Sequence, residues 1–290
     1  MKNFNDKVAA ITGAGSGMGR ELAVELAARG CHLALSDVNE AGLAETVKLV
    51  ADSGVKVTHQ RVDVADKAAV FAWADTVAKE HGKVNLIFNN AGVALGASVE
   101  GMRYEDLEWL LNINFWGVVH GTKAFLPLLK ASGEGHIINT SSVFGLVGIP
   151  SQSAYNAAKF AVRGFTESLR MELDMEGCGV SATSVHPGGI KTNIAKAARM
   201  DPSIANLGLD KDHASAKFEK AFITTANRAA RIIIRAVEKN QRRVLVGPDA
   251  HVIDWMVRLM PSGYQTLVKL FSRASMGPDK AETQAASRRV

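Results

Sequence analysis

Tyr155 and Lys159 stand four residues apart in a run of good helix formers that includes Ala154, Ala157, Ala158 and Ala161. Side chains at that spacing share one helical face, about one turn apart. A phenol titrates near pH 10 in model peptides, and a neighbouring ammonium favours its ionised form. The pair therefore predicts an acid/base able to exchange protons nearer neutrality. Ser141 and Ser142 lie just upstream, after a short apolar stretch, so hydroxyls stand close to the pair in sequence. A second chemical cluster is the turn Gly13-Ala14-Gly15-Ser16-Gly17-Met18-Gly19. Glycines let backbone N–H groups approach a pyrophosphate, and a helix N-terminus adds partial positive charge. The strict G-x-G-x-x-G pattern is absent, because the sixth position is Met18 counted from Gly13 and Arg20 counted from Gly15. Asp37 follows Gly19 by 18 residues, close to where a carboxylate takes adenosine ribose hydroxyls. It would repel a 2′-phosphate, and no Arg or Lys inside the turn or at 38–40 offsets it, so NAD is the expected cofactor.

Hydrophobic periodicity supplies the elements that must hold these residues. Residues 7–12 read as a strand, 20–29 as a helix stopped by Gly30, and 31–36 as a second buried strand. A helix over about 40–53, a strand near 55–62 ending in Asp63, and a helix over 67–81 continue the alternation. A fourth strand, 84–88, runs into Asn89-Asn90-Ala91-Gly92, and a long amphipathic pattern covers about 104–130. Asn112 and Asn114 within it are mildly unfavourable in a helix and predict side-chain bonding or a local kink. Residues 136–140 and 179–185 give two further strands, with the Tyr155 helix reaching about Asp174 between them. The expected fold is an α/β, doubly wound (Rossmann), mostly parallel sheet in one domain. Right-handed crossovers put the carboxyl ends of all strands on one edge, where ligands bind in such sheets. Gly15, Asp37, Asp63, Asn90, Ser142 and Gly188 all follow strands at that edge.

A chain of 290 residues with 47% hydrophobic and 22% charged content suits one large globular domain. The net charge of +5 is modest, and the arginine pairs Arg242/Arg243 and Arg288/Arg289 are isolated, so nucleic-acid binding is not expected. The polar start MKNFND leaves no room for a signal peptide, and no apolar run reaches the ~18 residues of a spanning helix. A cytoplasmic protein is expected, and two cysteines suit a reducing compartment. The eight histidines have no metal-ligand spacing; His186, beside Pro187, reads as structural.

Taken in order, Thr12-Gly13-x-x-x-Gly17-x-Gly19, Asn89-Asn90-Ala91-Gly92, Asn114-x-x-Gly117, Ser142, Tyr155-x-x-x-Lys159 and Pro187-Gly188 resemble the short-chain dehydrogenase/reductase family over about residues 5–248. The resemblance implies a strand order of 3-2-1-4-5-6-7, with a final strand at 243–246. On that order Cys31 and Cys178 lie about 19 Å apart, too far for a disulfide. It also implies that Tyr155 is the general acid/base and that Lys159 lowers its pKa and binds nicotinamide ribose. Ser142 would bond the substrate oxygen, and Asn114 would support a water-mediated proton path. Ser142 is preferred to Ser141 because the family's serine stands 13 residues before the tyrosine. The cofactor set implied is Gly13, Gly15, Ser16, Gly17, Met18, Gly19, Asp37, Asp63, Val64, Asn90, Ala91, Gly92, Tyr155, Lys159, Pro187, Gly188, Ile190 and Thr192. Within it, Asp63 and Val64 match the adenine contact, and Ile190 and Thr192 match the segment that holds the carboxamide. Asn89 and Asn90 would also tie the central sheet together.

The catalytic domain so defined is 1–249, with a substrate flap over about 193–225 whose Met200, Pro202, Ile204, Leu207 and Leu209 predict an apolar pocket. Residues 250–290 form an amphipathic extension, two short helices split by Pro261-Ser262-Gly263, and a polar tail. For 250–273, a subunit contact or pocket wall is preferred to contact with a membrane surface. The expected function is hydride transfer between NAD(H) and an apolar, secondary alcohol or ketone, by a homodimer or homotetramer. The alternatives are an NADPH-dependent 3-oxoacyl-type reductase and a nucleotide-sensing scaffold without catalysis.

Overall fold

The computed structural model describes residues 1–209 and 222–274. Seven strands form one parallel sheet: β1 (Val8–Thr12), β2 (His32–Asp37), β3 (Val57–Arg61), β4 (Leu86–Asn89), β5 (Gly135–Thr140), β6 (Val180–Pro187) and β7 (Arg243–Val246). Their order across the sheet is 7-6-5-4-1-2-3, as the motifs predict. The strands alternate between two cores. Ala9 and Ile11, Leu33 and Leu35, and Leu86 and Phe88 face one side, while Val8 and Ala10, Ala34, and Ile87 face the other. That period of two is what a sheet covered on both faces requires.

The first face is covered by α1 (Gly17–Ala27), α2 (Glu40–Val50) and α7 (Ala226–Glu238), through Leu22, Leu26, Leu43, Ile233 and Ile234. The second is covered by α3 (Lys67–His81), α5 (Gly117–Ala131) and α6 (Ser153–Glu176), through Trp73, Phe125 and Leu169. Trp73 meets Phe125 edge-on, with ring centroids 5.0 Å apart. Buried side chains of this size contribute roughly 1.5–3 kcal/mol each. Helix starts are set by capping: Asn39 accepts from Gly42 N–H and Asp66 from Ala69 N–H.

Several element boundaries differ from those expected from periodicity, three of them for plain local reasons. Helix α1 begins at Gly17, inside the glycine turn, with Ser16 as its N-cap. The second helix ends at Val50 and tightens into a 3-10 turn over Ala51–Ser53. Strand β6 runs on to Pro187 because β7 continues to pair with it there.

The long pattern over 104–130 is divided. A helix, α4 (Tyr104–Leu111), is joined to α5 by a π-helical turn over Asn112–Trp116, in which Gly117 N–H reaches Asn112 O. The asparagines thus coincide with a local irregularity of the helix, and Asn114 makes the side-chain bonding expected there.

After β7 come α8 (Pro248–Leu259) and α9 (Tyr264–Ala274), on either side of Pro261. Of the flap, residues 210–221 lie outside the described residues, as does the tail 275–290. The flap's described ends are tied down by short parallel ladders. Arg199–Met200 pairs with Leu95–Gly96, and Thr224–Thr225 pairs with Ile190–Lys191.

Candidate active site

The glycine turn connects β1 to α1 at the carboxyl edge. Gly13 has φ +66, a conformation open chiefly to glycine, and a Cβ on Gly19 would fall 2.1 Å from Gly13 O. The N-cap Ser16 makes no side-chain capping bond. The first N–H groups of α1 therefore lack a side-chain cap from Ser16, the arrangement that leaves a helix end available to an anion.

Asp37, at the end of β2, accepts from Gly15 N–H at 2.8 Å through one oxygen and from Asn39 N–H at 2.9 Å through the other. It is held in place beside the turn before any ligand arrives. Arg20 adds a cation that the motif reading placed outside the turn. Its guanidinium folds back onto Gly15 O (2.5 Å) and Gly42 O (3.1 Å) and pairs with Glu45 at 2.8 Å.

Asn90 braces the same turn. Its side-chain amide donates to Thr12 O at 3.1 Å, while Thr12 Oγ1 accepts from the N–H groups of Asn90 and Ala91. Asn89 ties β4 to its neighbours by donating to Asn139 Oδ1 (2.8 Å) and Thr122 Oγ1 (3.2 Å), the structural role expected of it. Asp63 is exposed at the end of β3 and accepts from Ala65 N–H, and Val64 is buried beside Gly117. Ile190 is a core residue at 5% exposure, so a contact from this position to a ligand must come from its backbone. Thr192 lies over the glycine turn, its Cγ2 3.1 Å from where a Cβ on Gly17 would be. Beside it opens a cavity of about 290 Å³ lined by Lys191, Thr192, Asn193, Lys196 and Phe222.

Ser142 and Tyr155 converge from a strand end and a helix start. The Ser142 hydroxyl lies close enough to the Tyr155 phenol to lower its pKa, and it accepts from Phe144 N–H at 3.1 Å. Ser141 is turned away, donating to Lys159 O at 2.7 Å. That supports Ser142 as the serine with a hydroxyl in the site.

Lys159 is 3% exposed, and its Nζ donates to Thr140 O at 2.9 Å, 5.5 Å from the centre of the Tyr155 ring. The expected lowering of the phenol's pKa is not what the ligand-free chain displays. Burial pushes Tyr155 up to about 12, only partly opposed by the Ser142 hydroxyl, and burial lowers Lys159 to about 8. Desolvation disfavours both charged forms and is the dominant cause of each shift.

Asn114 is fixed by its side chain. Its Oδ1 accepts from Val93 N–H and its Nδ2 donates to Val93 O, each at 2.8 Å. The amide is a two-point clamp on the strand that leaves β4, and it sits against Gly92, which in turn neighbours Lys159 Nζ. Both polar atoms of its side chain are thus bonded to the backbone of Val93.

Several residues without a motif complete the site. Asn156, next to Tyr155, donates to Phe144 O and Val147 O and accepts from Ile149 N–H, fixing the loop between the serine and the tyrosine. Tyr264 opens α9 and accepts from Gly148 N–H at 3.1 Å, so the C-terminal extension walls this loop. His186 is fully buried, donates from Nδ1 to Ser142 O at 3.0 Å, and is held neutral by burial, its pKa lowered to about 4. No sequence spacing marks these contacts, because each joins segments that meet only in the folded sheet.

The apolar side chains Leu95, Ala97, Leu110, Ala154 and Ala158 cluster with Val93, Met102 and Phe115 against the Tyr155 ring. Met200 packs against Gly96, and Ile204 is buried. Arg199 closes this side by stacking on Trp109 at 3.6 Å and pairing with Asp106 at 2.9 Å.

A seven-stranded parallel sheet with a glycine turn at one strand end and a serine, tyrosine and lysine at another defines a nucleotide-dependent oxidoreductase fold, and comparison with known proteins agrees. Residues 7–203 match the family model described as short chain dehydrogenase, and the chain belongs to that family. It is 48% identical over 269 residues to SadH of Mycobacterium tuberculosis, a protein assigned only provisionally as an oxidoreductase, covering 92% of this chain and 96% of SadH. It is 38% identical over 195 residues to the human epidermal retinol dehydrogenase 2, covering 67% of this chain and 63% of the relative. Among solved structures, a short-chain dehydrogenase/reductase from Burkholderia phymatum in complex with NAD superposes with a TM-score of 0.82. It is 33% identical, and the match covers 90% of this chain and 95% of that one.

Proposed function

We propose that this chain transfers hydride between NAD(H) and an apolar, secondary alcohol or its ketone. The observation that carries the reading is the convergence of Ser142, Tyr155 and Lys159 at the same sheet edge as the open end of α1. The apolar cluster around the Tyr155 ring supports an apolar substrate. A retinol dehydrogenase among the relatives and a neighbour solved with NAD point the same way.

In oxidation, Tyr155 Oη takes the alcohol proton while Ser142 Oγ–H holds the substrate oxygen. Lys159, buried against Thr140 O, supplies the cation that favours the phenolate and is the residue assigned to the nicotinamide ribose. Bound NAD supplies the hydride acceptor. Asp37 sits where a ribose 2′-hydroxyl would be read, and Arg20, the cation beside it, is balanced by Glu45. NAD(H) is therefore preferred to NADP(H) by at least tenfold in kcat/KM, since lost ribose bonds and a phosphate facing Asp37 together exceed ~1.4 kcal/mol.

The deciding measurement is NADH appearance at 340 nm with steroid, retinoid, long-chain and short diol alcohols, each run with both cofactors. Equal turnover with NAD and NADP overturns the cofactor assignment, and NADP preference on 3-oxoacyl substrates favours the reductase alternative. The working unit is a homo-oligomer, as is usual in the family.

A further inference from the structure

The chain that follows β7 returns to the site at a point no motif marks. Gly247, at φ +106, turns the backbone into α8 and brings Asp249, in the first turn of that helix, against the Pro187–Gly189 turn. Asp249 Oδ2 accepts from Gly189 N–H at 2.6 Å. Two more bonds hold the same turn: Gly188 N–H donates to Val246 O at 2.9 Å, and Thr224 N–H donates to Gly189 O at 3.2 Å. The carboxylate itself excludes side chains around it. A Cβ on Gly188 would fall 2.1 Å from Asp249 Oδ2, and one on Gly247 would fall 2.5 Å from Oδ1 and 2.8 Å from Thr224 Oγ1. Those last two atoms are buried and have no hydrogen-bond partner among the described residues. Buried polar atoms are nearly always satisfied, and one water between the Thr224 hydroxyl and the free carboxylate oxygen would satisfy both.

We propose that Asp249 is a positioning residue of the cofactor site. Its carboxylate clamps the Pro187–Gly189 turn to the start of α8 and to the returning end of the flap at Thr224. It thereby sets the seat for the nicotinamide end of the dinucleotide. The inference rests on the reading of Pro187, Gly188, Ile190 and Thr192 as the nicotinamide segment. Asp249 itself lies outside the 7–203 family match.

The test compares affinities for NADH and for ADP-ribose, which lacks nicotinamide, by titration calorimetry on the full chain. Asp249→Ala is expected to raise the Kd for NADH at least tenfold and to leave the Kd for ADP-ribose within threefold. Asp249→Asn keeps an acceptor for Gly189 N–H and should restore NADH affinity to within threefold of the wild type. If the alanine variant does not fold, Asp249→Glu, which keeps the charge but displaces the oxygens by one methylene, should raise the NADH Kd at least threefold on the same criterion. Wild-type NADH affinity in a folded alanine or glutamate variant overturns the proposal, and so does an equal loss for both ligands. Tyr155→Phe run alongside tests the acid/base reading by its loss of turnover, not by affinity. A failure of the acid/base reading is therefore distinguishable from a failure of this one.

Discussion

Tyr155→Phe removes one oxygen and keeps the ring that packs on Phe144 and the apolar cluster. It should cut turnover by a factor of ~10² to 10⁴ with cofactor affinity intact, measured as kcat beside the NADH Kd. Lys159→Ala should weaken both, because the ammonium is assigned to the phenol and the ribose alike. Oxidation requires the phenolate, and burial holds the phenol high, at about 12. The wild-type oxidation rate should therefore rise with pH across the neutral and mildly alkaline range, and that limb should be missing from any residual activity of Tyr155→Phe. These residues could be read from the chain because their relation is set by helical spacing over a few positions. The direction of their pKa shifts could not, since desolvation depends on what the remaining elements pile against them. Asn156 and His186 escaped functional assignment for the same reason: one looks like any polar residue on a helix, and the other acts on a carbonyl 44 residues away.

Helix α4, the π turn and α5 hold Asn114 opposite Val93, and that pairing makes a firm prediction. Asn114→Ala strands a backbone N–H and C=O in a part-buried site, and each unpaired group costs roughly 1–3 kcal/mol. The variant should lose at least roughly 2 kcal/mol in urea unfolding, with an unchanged m-value if the fold is retained. Sequence reading reached the irregularity here, since two asparagines in an amphipathic run conflict with helix propensity. It could not reach the partner, because Val93 belongs to a connection with no periodic signal. The flap illustrates the same limit: its apolar residues were legible, whereas the Arg199 stack on Trp109 joins segments 90 positions apart.

The alternation of strands and helices made the parallel, doubly wound class legible, whereas the sheet order came through the family resemblance and agrees with the structure. How the finished body meets other copies was not legible, since a surface carries no periodic constraint. Trp116, Phe160, Met171 and Met175 are exposed along the π turn and α6. Light scattering at micromolar concentration should therefore give a multiple of 30.9 kDa, and a monomer mass would contradict the assembly reading. The molecule should also be sensitive to acid. Burial lowers His186 to about 4 and His136 to about 3, against about 6.5 for an unfolded histidine. Between pH 6.5 and about 4 the unfolded chain binds protons that the folded chain excludes, so stability falls as pH falls through that window. His186 alone contributes about 3 kcal/mol to the fall. Urea midpoints at pH 7 and pH 5 should differ accordingly, and His186→Asn should reduce the difference.

The π turn over Asn112–Trp116 is also a matter of phase. One additional residue in a helical turn rotates everything beyond it by about 100°. The segments on either side can thus face different partners, with Leu110 of α4 turned to α6 and Phe125 of α5 turned to the sheet and α3. A chain shortened by one residue at Ile113 would let the two helices run on as a single regular one, with their apolar faces rotated out of step. Every residue type needed by the site would remain, yet Asn114 would leave Val93 and either Leu110 or Phe125 would swing toward water. Loss of one residue at this point should therefore be far more damaging than any single replacement there.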